Sequence, residues 1–359
     1  MSWDIFRADG VRRAQAWEDL PGPPKWRERR ASGEIPTFVS TPELIHAVNA
    51  ALHLRRPLLL TGLPGSGKST LVERIAAELD LGEVLRWHIT SKSTLEDGLY
   101  RYDALGRLHA TQLEHAENEG AATAGESAAV ERFVTLGPLG TALAAQDRPR
   151  ALLIDEIDKS DLDLPGDLLD VLERGEFEIP PLAREARRAD APVEPEGPFT
   201  LVESEGSPAL VRPVTRDEPD ASDSWFELPA GRTHWIFGAD GQEYEVTNGT
   251  VGVPDERIPV IVLTSNGERS FPAPFLRRCV RFDVPRPSES VLREIVAAHF
   301  GAATESAELA QIQAFEKRLR AGETLALDQL LNFLHLVGED VDEETRKILE
   351  DILLPGLSS

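Results

Sequence analysis

Gly62-Leu63-Pro64-Gly65-Ser66-Gly67-Lys68-Ser69-Thr70 decides how this chain reads. The run fits the spacing G-x-x-x-x-G-K-[ST]. An apolar stretch, Pro57 to Leu60, precedes it and predicts a buried strand, and Leu71 to Leu79 follows with helical apolar spacing. Strand, glycine loop and helix together make a phosphate cradle. The glycines let backbone N–H groups turn inward on the phosphates, and the helix N-terminus adds a favourable dipole. On this reading Gly62, Pro64, Gly65, Ser66, Gly67, Lys68, Ser69 and Thr70 line the phosphates. Lys68 reaches the β- and γ-phosphates of ATP, and Ser69 holds Mg²⁺. A flexible turn also uses glycines at such spacing, but it does not need the flanking strand and helix.

Composition narrows the remaining possibilities. The chain has 359 residues, of which 41% are hydrophobic, enough for a sizeable core and for two or three domains. Its formal net charge of −24 repels a nucleic-acid backbone unless a basic patch intervenes. The strongest cluster of basic residues, Arg27-Glu28-Arg29-Arg30, is short and mixed. A single cysteine, Cys279, excludes an intrachain disulfide and fits a reducing compartment. Met1-Ser2-Trp3-Asp4 lacks the charged and apolar regions of a signal peptide. No stretch approaches the roughly 18 apolar residues of a membrane helix. These features together predict a soluble, cytoplasmic protein.

Three regions follow from the patterning. Residues 1–38 form an extension carrying Trp3, Phe6, Trp17 and Trp26 around Pro21-Gly22-Pro23-Pro24, whose prolines exclude a long helix. Residues 39–286 alternate strands and helices, which predicts a parallel sheet with helices on both faces. Thr41 and Pro42 start a helix running to about Leu54. Val84 to Ile89, Ala151 to Ile154, Pro259 to Leu263 and Val280 to Val284 read as strands, and residues 116–131 as an exposed insertion. Residues 184–256 break the pattern: they are acidic, rich in Pro and Gly, and hold Trp225-Phe226, Trp235-Ile236-Phe237 and Tyr244-Glu245-Val246. The last two read as hairpin strands, so the stretch is expected to be a β-containing insertion, ordered in part. Residues 287–359 read as helices near 288–300, 306–320, 325–337 and 342–353.

Asp155-Glu156 follow directly on a buried strand. At the carboxyl end of a parallel strand, such a pair faces the phosphate crevice. Asp155 contacts Mg²⁺ with Ser69, and Glu156 polarises the attacking water. Thr264-Ser265-Asn266 close another strand, where the Asn266 amide reaches the γ-phosphate or the water. In isolation that asparagine equally suits the turn before Gly267. Arg277-Arg278 precede the Val280 strand; a positive group supplied in trans stabilises transition-state charge, although adjacent arginines are commonly just solvated.

These residues, in this order, resemble the AAA+ ATPases, and among them the MoxR-like branch of the dynein-related AAA domain type. The resemblance rests on Gly62 to Thr70 (Walker A), Ala151 to Asp158 (Walker B), Thr264 to Asn266 (sensor 1) and Phe275 to Cys279 (arginine-finger region). Ile89 to Asp97, Gly137 to Leu143 and the stretch Leu20 to Arg27 resemble that branch too, and the likeness spans roughly residues 40–350. It implies an α/β P-loop NTPase fold: a parallel sheet flanked by helices, a β-containing insertion and a C-terminal helical lid. It also implies a homo-oligomeric ring, usually a hexamer, with ATP at subunit interfaces and Arg278, or failing it Arg277, as the finger. Lys92 to Leu108, with Tyr100 and Tyr102, falls where the branch carries a pore-facing insertion; core packing is the other reading of those tyrosines. The family places a sensor 2 arginine at the start of a lid helix, whereas Leu325-Ala326-Leu327-Asp328-Gln329-Leu330-Leu331 contains none.

The leading expectation is an ATP-hydrolysing, ring-forming remodeller or chaperone of a protein client. A nucleotide-dependent switch or scaffold with little hydrolysis is the second, motivated by the missing arginine and the acidic insertion. A nucleic-acid-directed motor is third, disfavoured by the charge. A fold with an inactive site is the bland alternative, opposed by the presence of Lys68, Asp155 and Glu156.

Overall fold

A computed structural model describes residues 22–24, 38–117, 129–145, 147–189, 199–202, 210–213, 232–301, 306–337 and 341–356. The expectations for Trp3, Phe6, Trp17, Trp26, residues 118–128 and Trp225-Phe226 lie outside the described residues. The described residues fall into two units. One draws on Met1–Lys92, Arg150–Asp161 and Val260–Ser359, the other on Ser93–Pro149 and Leu162–Pro259.

The first unit is built on five parallel strands: β1 (Leu58–Thr61), β2 (Leu85–His88), β5 (Ala151–Asp155), β12 (Val260–Ser265) and β13 (Val280–Asp283). Their order is β13-β1-β12-β5-β2. The central strands are apolar without interruption because side chains on both sheet faces are buried. Leu58, Leu59, Leu60, Leu152, Leu153 and Ile154 are all 2% exposed or less. Each such side chain contributes roughly 1.5–3 kcal/mol by leaving water. The edge strand β2 alternates instead, with Leu85 and Trp87 buried and Arg86 and His88 exposed.

Two helices cover this sheet as the sequence predicts. The α1 helix (Pro42–Leu54) begins where the Thr41 hydroxyl accepts from the Leu44 amide, with Pro42 in its first turn. The α2 helix (Lys68–Glu78) packs Leu71, Val72 and Ile75 into a core shared with Leu44, Leu58, Leu60 and Val262. A short helix, α8 (Ala273–Arg278), leads into β13. Four more follow: α9 (Glu289–Phe300), α10 (Ser306–Arg320), α11 (Leu327–Val337) and α12 (Glu343–Leu353). They close on a second core that includes Leu292, Ile312, Phe315, Leu330 and Phe333.

The second unit holds a mixed sheet of β3 (Tyr100–Tyr102), β4 (Val134–Leu136), β6 (Glu176–Glu178), β9 (Thr233–Phe237), β10 (Glu243–Thr247) and β11 (Thr250–Gly252). Its order is β3-β4-β9-β10-β11-β6. The helices α3 (Leu95–Leu99), α4 (Ala104–Glu117), α5 (Pro138–Ala144), α6 (Leu164–Arg174) and α7 (Pro180–Ala189) belong to the same unit. A separate antiparallel pair joins β7 (Phe199–Val202) and β8 (Leu210–Pro213). The expected hairpin is present: Trp235 and Tyr244 lie on β9 and β10, joined through a turn whose Gly241 has φ +75°.

Two local expectations differ, and one open alternative is decided. Residues 184–189 are helical, because Arg-Glu-Ala-Arg-Arg-Ala favours continuation of α7 over a strand. Residues 116 and 117 end α4, and Val130, 1% exposed, is core rather than an exposed insertion. Tyr100 is 9% exposed on β3, facing Leu136 of β4, and burial with the Glu96 hydrogen bond pushes its hydroxyl up to about 12. It is a core residue; Tyr102 is half-buried and accepts from Arg107.

Candidate active site

The parallel register places three strand ends side by side. Thr61 of β1 pairs with Ser265 of β12, and Leu263 of β12 pairs with Ile154 of β5. The chain segments leaving β1, β5 and β12 therefore open on one edge of the sheet, where α/β folds build their ligand crevices.

The glycine loop leaves β1 with Gly62 N–H bonded to the Ser265 carbonyl at 3.1 Å. Gly65 and Gly67 adopt φ of +70° and +81°, conformations that other residues rarely take. A β-carbon on Gly65 would stand 2.9 Å from the Asp328 carboxylate and 3.1 Å from the Leu327 amide nitrogen. One on Gly67 would meet the Phe38 ring at 3.1 Å. No side chain caps the N-terminus of α2, and its first turn has no acidic residue. The Ser66 hydroxyl is buried without a partner. An uncapped helix start beside an orphaned hydroxyl in a glycine loop suits an anion with several oxygens.

Lys68 projects back over this loop. Its Nζ donates to the carbonyls of Gly62 and Leu63 at 2.8 and 2.9 Å and to Asn266 Oδ1 at 3.0 Å. The residue is only 9% exposed. Burial lowers its pKa below the usual lysine value, while the charges of Asp155, Asp158 and Glu156 oppose that shift.

Asp155 and Glu156 are tied to β12 through Thr264. The Thr264 hydroxyl donates to Asp155 Oδ1 at 2.5 Å and accepts the Glu156 amide at 3.0 Å. Glu156 sits at φ +60°, ψ 46°, a left-handed turn that an ordinary residue occupies only at a cost. Its carboxylate meets three groups: Lys159 Nζ at 2.7 Å, His88 Nε2 at 3.5 Å and Asn266 Nδ2 at 3.5 Å. The Glu156 hydrogen bond raises the pKa of Lys159. Gly62 to Thr70, Asp155, Glu156 and Asn266 thus come together around Lys68. Arg277 and Arg278 end α8, just ahead of the edge strand β13; Arg277 is exposed and Arg278 half-buried. The Arg277 carbonyl accepts from Arg56 at 3.4 Å.

Several residues of the site escaped the sequence reading. Asp158 is 4% exposed, and its Oδ2 accepts the amides of Asn266 and Glu268 at 2.9 and 3.1 Å. It holds the segment that aims the Asn266 side chain at Lys68. It closes the Ala151 to Asp158 run quoted from the sequence, but no role was assigned to it there. Lys159, His88 and Phe38 lie in stretches without a distinguishing pattern. Beside the loop, a cavity of about 320 Å³ is lined by Phe38, Leu44, Leu63, Val284, Ile295 and Phe315, among others. Next to it, about 220 Å³ opens between Gly65, Gly67, Thr70, His299 and Asp328. The larger cavity is lined mostly by apolar side chains and adjoins the glycine loop at Leu63, Pro64 and Ser66.

Residues 57–209 match the family model of the AAA domain, dynein-related subfamily. That AAA match begins one residue before β1 and contains the glycine loop and Asp155-Glu156. With the parallel sheet, flanking helices, mixed-sheet insertion and C-terminal helices, it gives the P-loop AAA+ fold. No curated protein matches the chain. Among solved structures, a point mutant of Thermotoga maritima RuvB is similar at 14% identity and a TM-score of 0.39, over 86% of this chain and 68% of that one. A Thermotoga maritima RuvB structure described as a Holliday junction branch migration motor gives 15% and 0.33, over 87% and 74%. NtrX from Brucella abortus in complex with ATP gives 14% and 0.38, over 90% and 57%. Among the described residues no group of three or more His, Cys, Asp or Glu is arranged to hold a metal, and no helix is long and apolar enough to cross a membrane.

Proposed function

We propose that this chain binds ATP with Mg²⁺ in the glycine loop and hydrolyses it, as a MoxR-like AAA+ protein that forms a ring and remodels or chaperones a protein client. The observation that carries the reading is the Lys68 amine, desolvated over an uncapped helix start and flanked by the carboxylates of Asp155 and Glu156. In this reading Lys68 exchanges its carbonyl partners for β- and γ-phosphate oxygens. Backbone N–H groups of residues 65–70 and the Ser66 hydroxyl take the remaining phosphate contacts, and the apolar cavity takes the base. Magnesium, when bound, would supply charge neutralisation at the phosphates. Ser69 and Asp155 would hold it, with phosphate oxygens and water as its further ligands. Glu156 accepts the proton of the attacking water, and Asn266 orients that water or the γ-phosphate. Helices α9 to α12 act as the lid, and Arg278, or Arg277, completes the site of a neighbouring subunit. A cytoplasmic location accompanies this reading. The net charge of −24 argues against a nucleic-acid client.

ATP turnover per subunit, measured as a function of protein concentration, tests it. A rate that climbs with concentration supports a site completed by a neighbour; a flat, nonzero rate removes the trans-arginine and the ring-dependent site. A second reading, a nucleotide switch with little hydrolysis, is favoured by one observation: the Asp328 carboxylate stands beside Gly65 where the family carries an arginine. Partner binding that tracks nucleotide state with negligible turnover would select that reading.

A further inference from the structure

The second unit carries an open sheet face that nucleotide chemistry does not use. Along β9, His234 and Ile236 turn into the core at 1% and 0% exposed, while Trp235 and Phe237 turn outward at 56% and 53%. The antiparallel register sets Glu245 opposite Trp235 and Glu243 opposite Phe237, and both glutamates are exposed. Residues so paired have β-carbons roughly 5 Å apart, so each exposed ring has a carboxylate beside it. The same face continues across β11 to Glu176 and Glu178 on β6, where Glu178 already holds Arg187 at 2.9 Å. On the other side, among the described residues, Arg101 of β3 is the nearest exposed cation on the strands of the sheet.

Single exposed apolar residues are ordinary on protein surfaces. Two large rings at i and i+2 on a central strand, each with a carboxylate across the ladder, are a more specific surface. Ring faces attract ammonium and guanidinium groups within about 6 Å, and adjacent carboxylates strengthen that attraction. The overall charge of −24 steers cations toward the chain. We propose that this face docks a cationic segment of a protein partner, whose arginine or lysine side chains lie over Trp235 and Phe237 with their head groups on Glu245 and Glu243. The proposal stands whether or not the glycine loop hydrolyses ATP.

The test uses the full chain and a fluorescein-labelled peptide of alternating arginine and glycine, followed by fluorescence anisotropy. Trp235→Ser leaves the net charge unchanged and is expected to weaken binding at least tenfold. Glu243→Gln with Glu245→Gln is expected to weaken it at least as much. Glu343→Gln with Glu344→Gln removes the same charge from α12 and should leave affinity within twofold. Should Trp235→Ser unfold, shown by its thermal melt, Phe237→Ser tests the same face. Equal losses from the two double variants would mean that bulk charge alone attracts the peptide, and the proposal would be overturned. It would be overturned equally if the Trp235 and Phe237 variants bound like the native chain. A change in sedimentation of the chain alone on Trp235→Ser would assign the face to a second copy instead.

Discussion

Replacing Glu156 by Asn should leave the chain at least as stable as before while removing its turnover. Glu156 occupies φ 60°, ψ 46°. There its β-carbon crowds the following carbonyl, at about 1–2 kcal/mol for an ordinary residue. Asparagine visits this region more readily because its short side chain bonds locally. The interactions that the glutamate gives up are weak. The Lys159–Glu156 pair joins side chains 41% and 24% exposed, a class worth about 0–1 kcal/mol. The Asn266 hydrogen bond, at 3.5 Å, is at the limit of its kind. The backbone bond from residue 156 to Thr264 is kept. The balance is a gain of about 0–1 kcal/mol, or up to roughly 2 °C in melting temperature for a chain this long. Urea unfolding without nucleotide, read by circular dichroism, measures it, with phosphate release assayed alongside. Turnover should fall by about 10²–10⁴ when the general base is removed. A drop of more than about 1 kcal/mol in stability would mean instead that the Glu156 carboxylate is structural and its turn unstrained.

Other expectations concern charge at the loop. Lys68→Met should weaken ATP binding about 10- to 100-fold, the value of a charge-assisted hydrogen bond of about 1.5–3 kcal/mol, as read by calorimetry. Native affinity should also decline with rising pH before an ordinary lysine would titrate, because burial lowers the Lys68 pKa and only the protonated amine pairs with phosphate; Lys68→Met should lack that decline. Asp328→Arg puts a cation where a carboxylate now stands beside Gly65 and should tighten ATP binding about tenfold, roughly 1.4 kcal/mol. Unchanged affinity in that variant would detach the lid from the phosphates. Arg278→Ala should abolish the dependence of turnover on protein concentration while leaving ATP binding within about threefold; a variant that keeps the dependence would shift the role to Arg277 or dismiss it.

Much of the first unit was legible because its signals are local. Thr41-Pro42 announces α1, the apolar runs before Thr61 and Asp155 announce strands, and the apolar spacing after Pro287 gives α9 to α12 within two residues at each end. The strand order was not legible, since it depends on which distant strands pair. Nor were β3, β4 and β6: Tyr-Arg-Tyr, Val-Thr-Leu and Glu-Phe-Glu are too short for a period to declare itself, and they become strands through pairing with distant partners. At the site, residues that a fixed spacing announces were legible. Asp158 was not, because a buried carboxylate serving two backbone amides looks in sequence like any acidic residue near a strand end. Lys159 and His88 reach Glu156 from a turn and a neighbouring strand, and Asp328 reaches Gly65 from a helix more than two hundred residues away.

We propose that Glu156 drives hydrolysis of an ATP held at Lys68. The most direct test compares phosphate release and ATP binding for the native chain and Glu156→Gln, in magnesium and at a protein concentration high enough for assembly. Both should bind ATP with similar affinity, and only the native chain should release phosphate at an appreciable rate. Equal release from the two proteins would contradict the account.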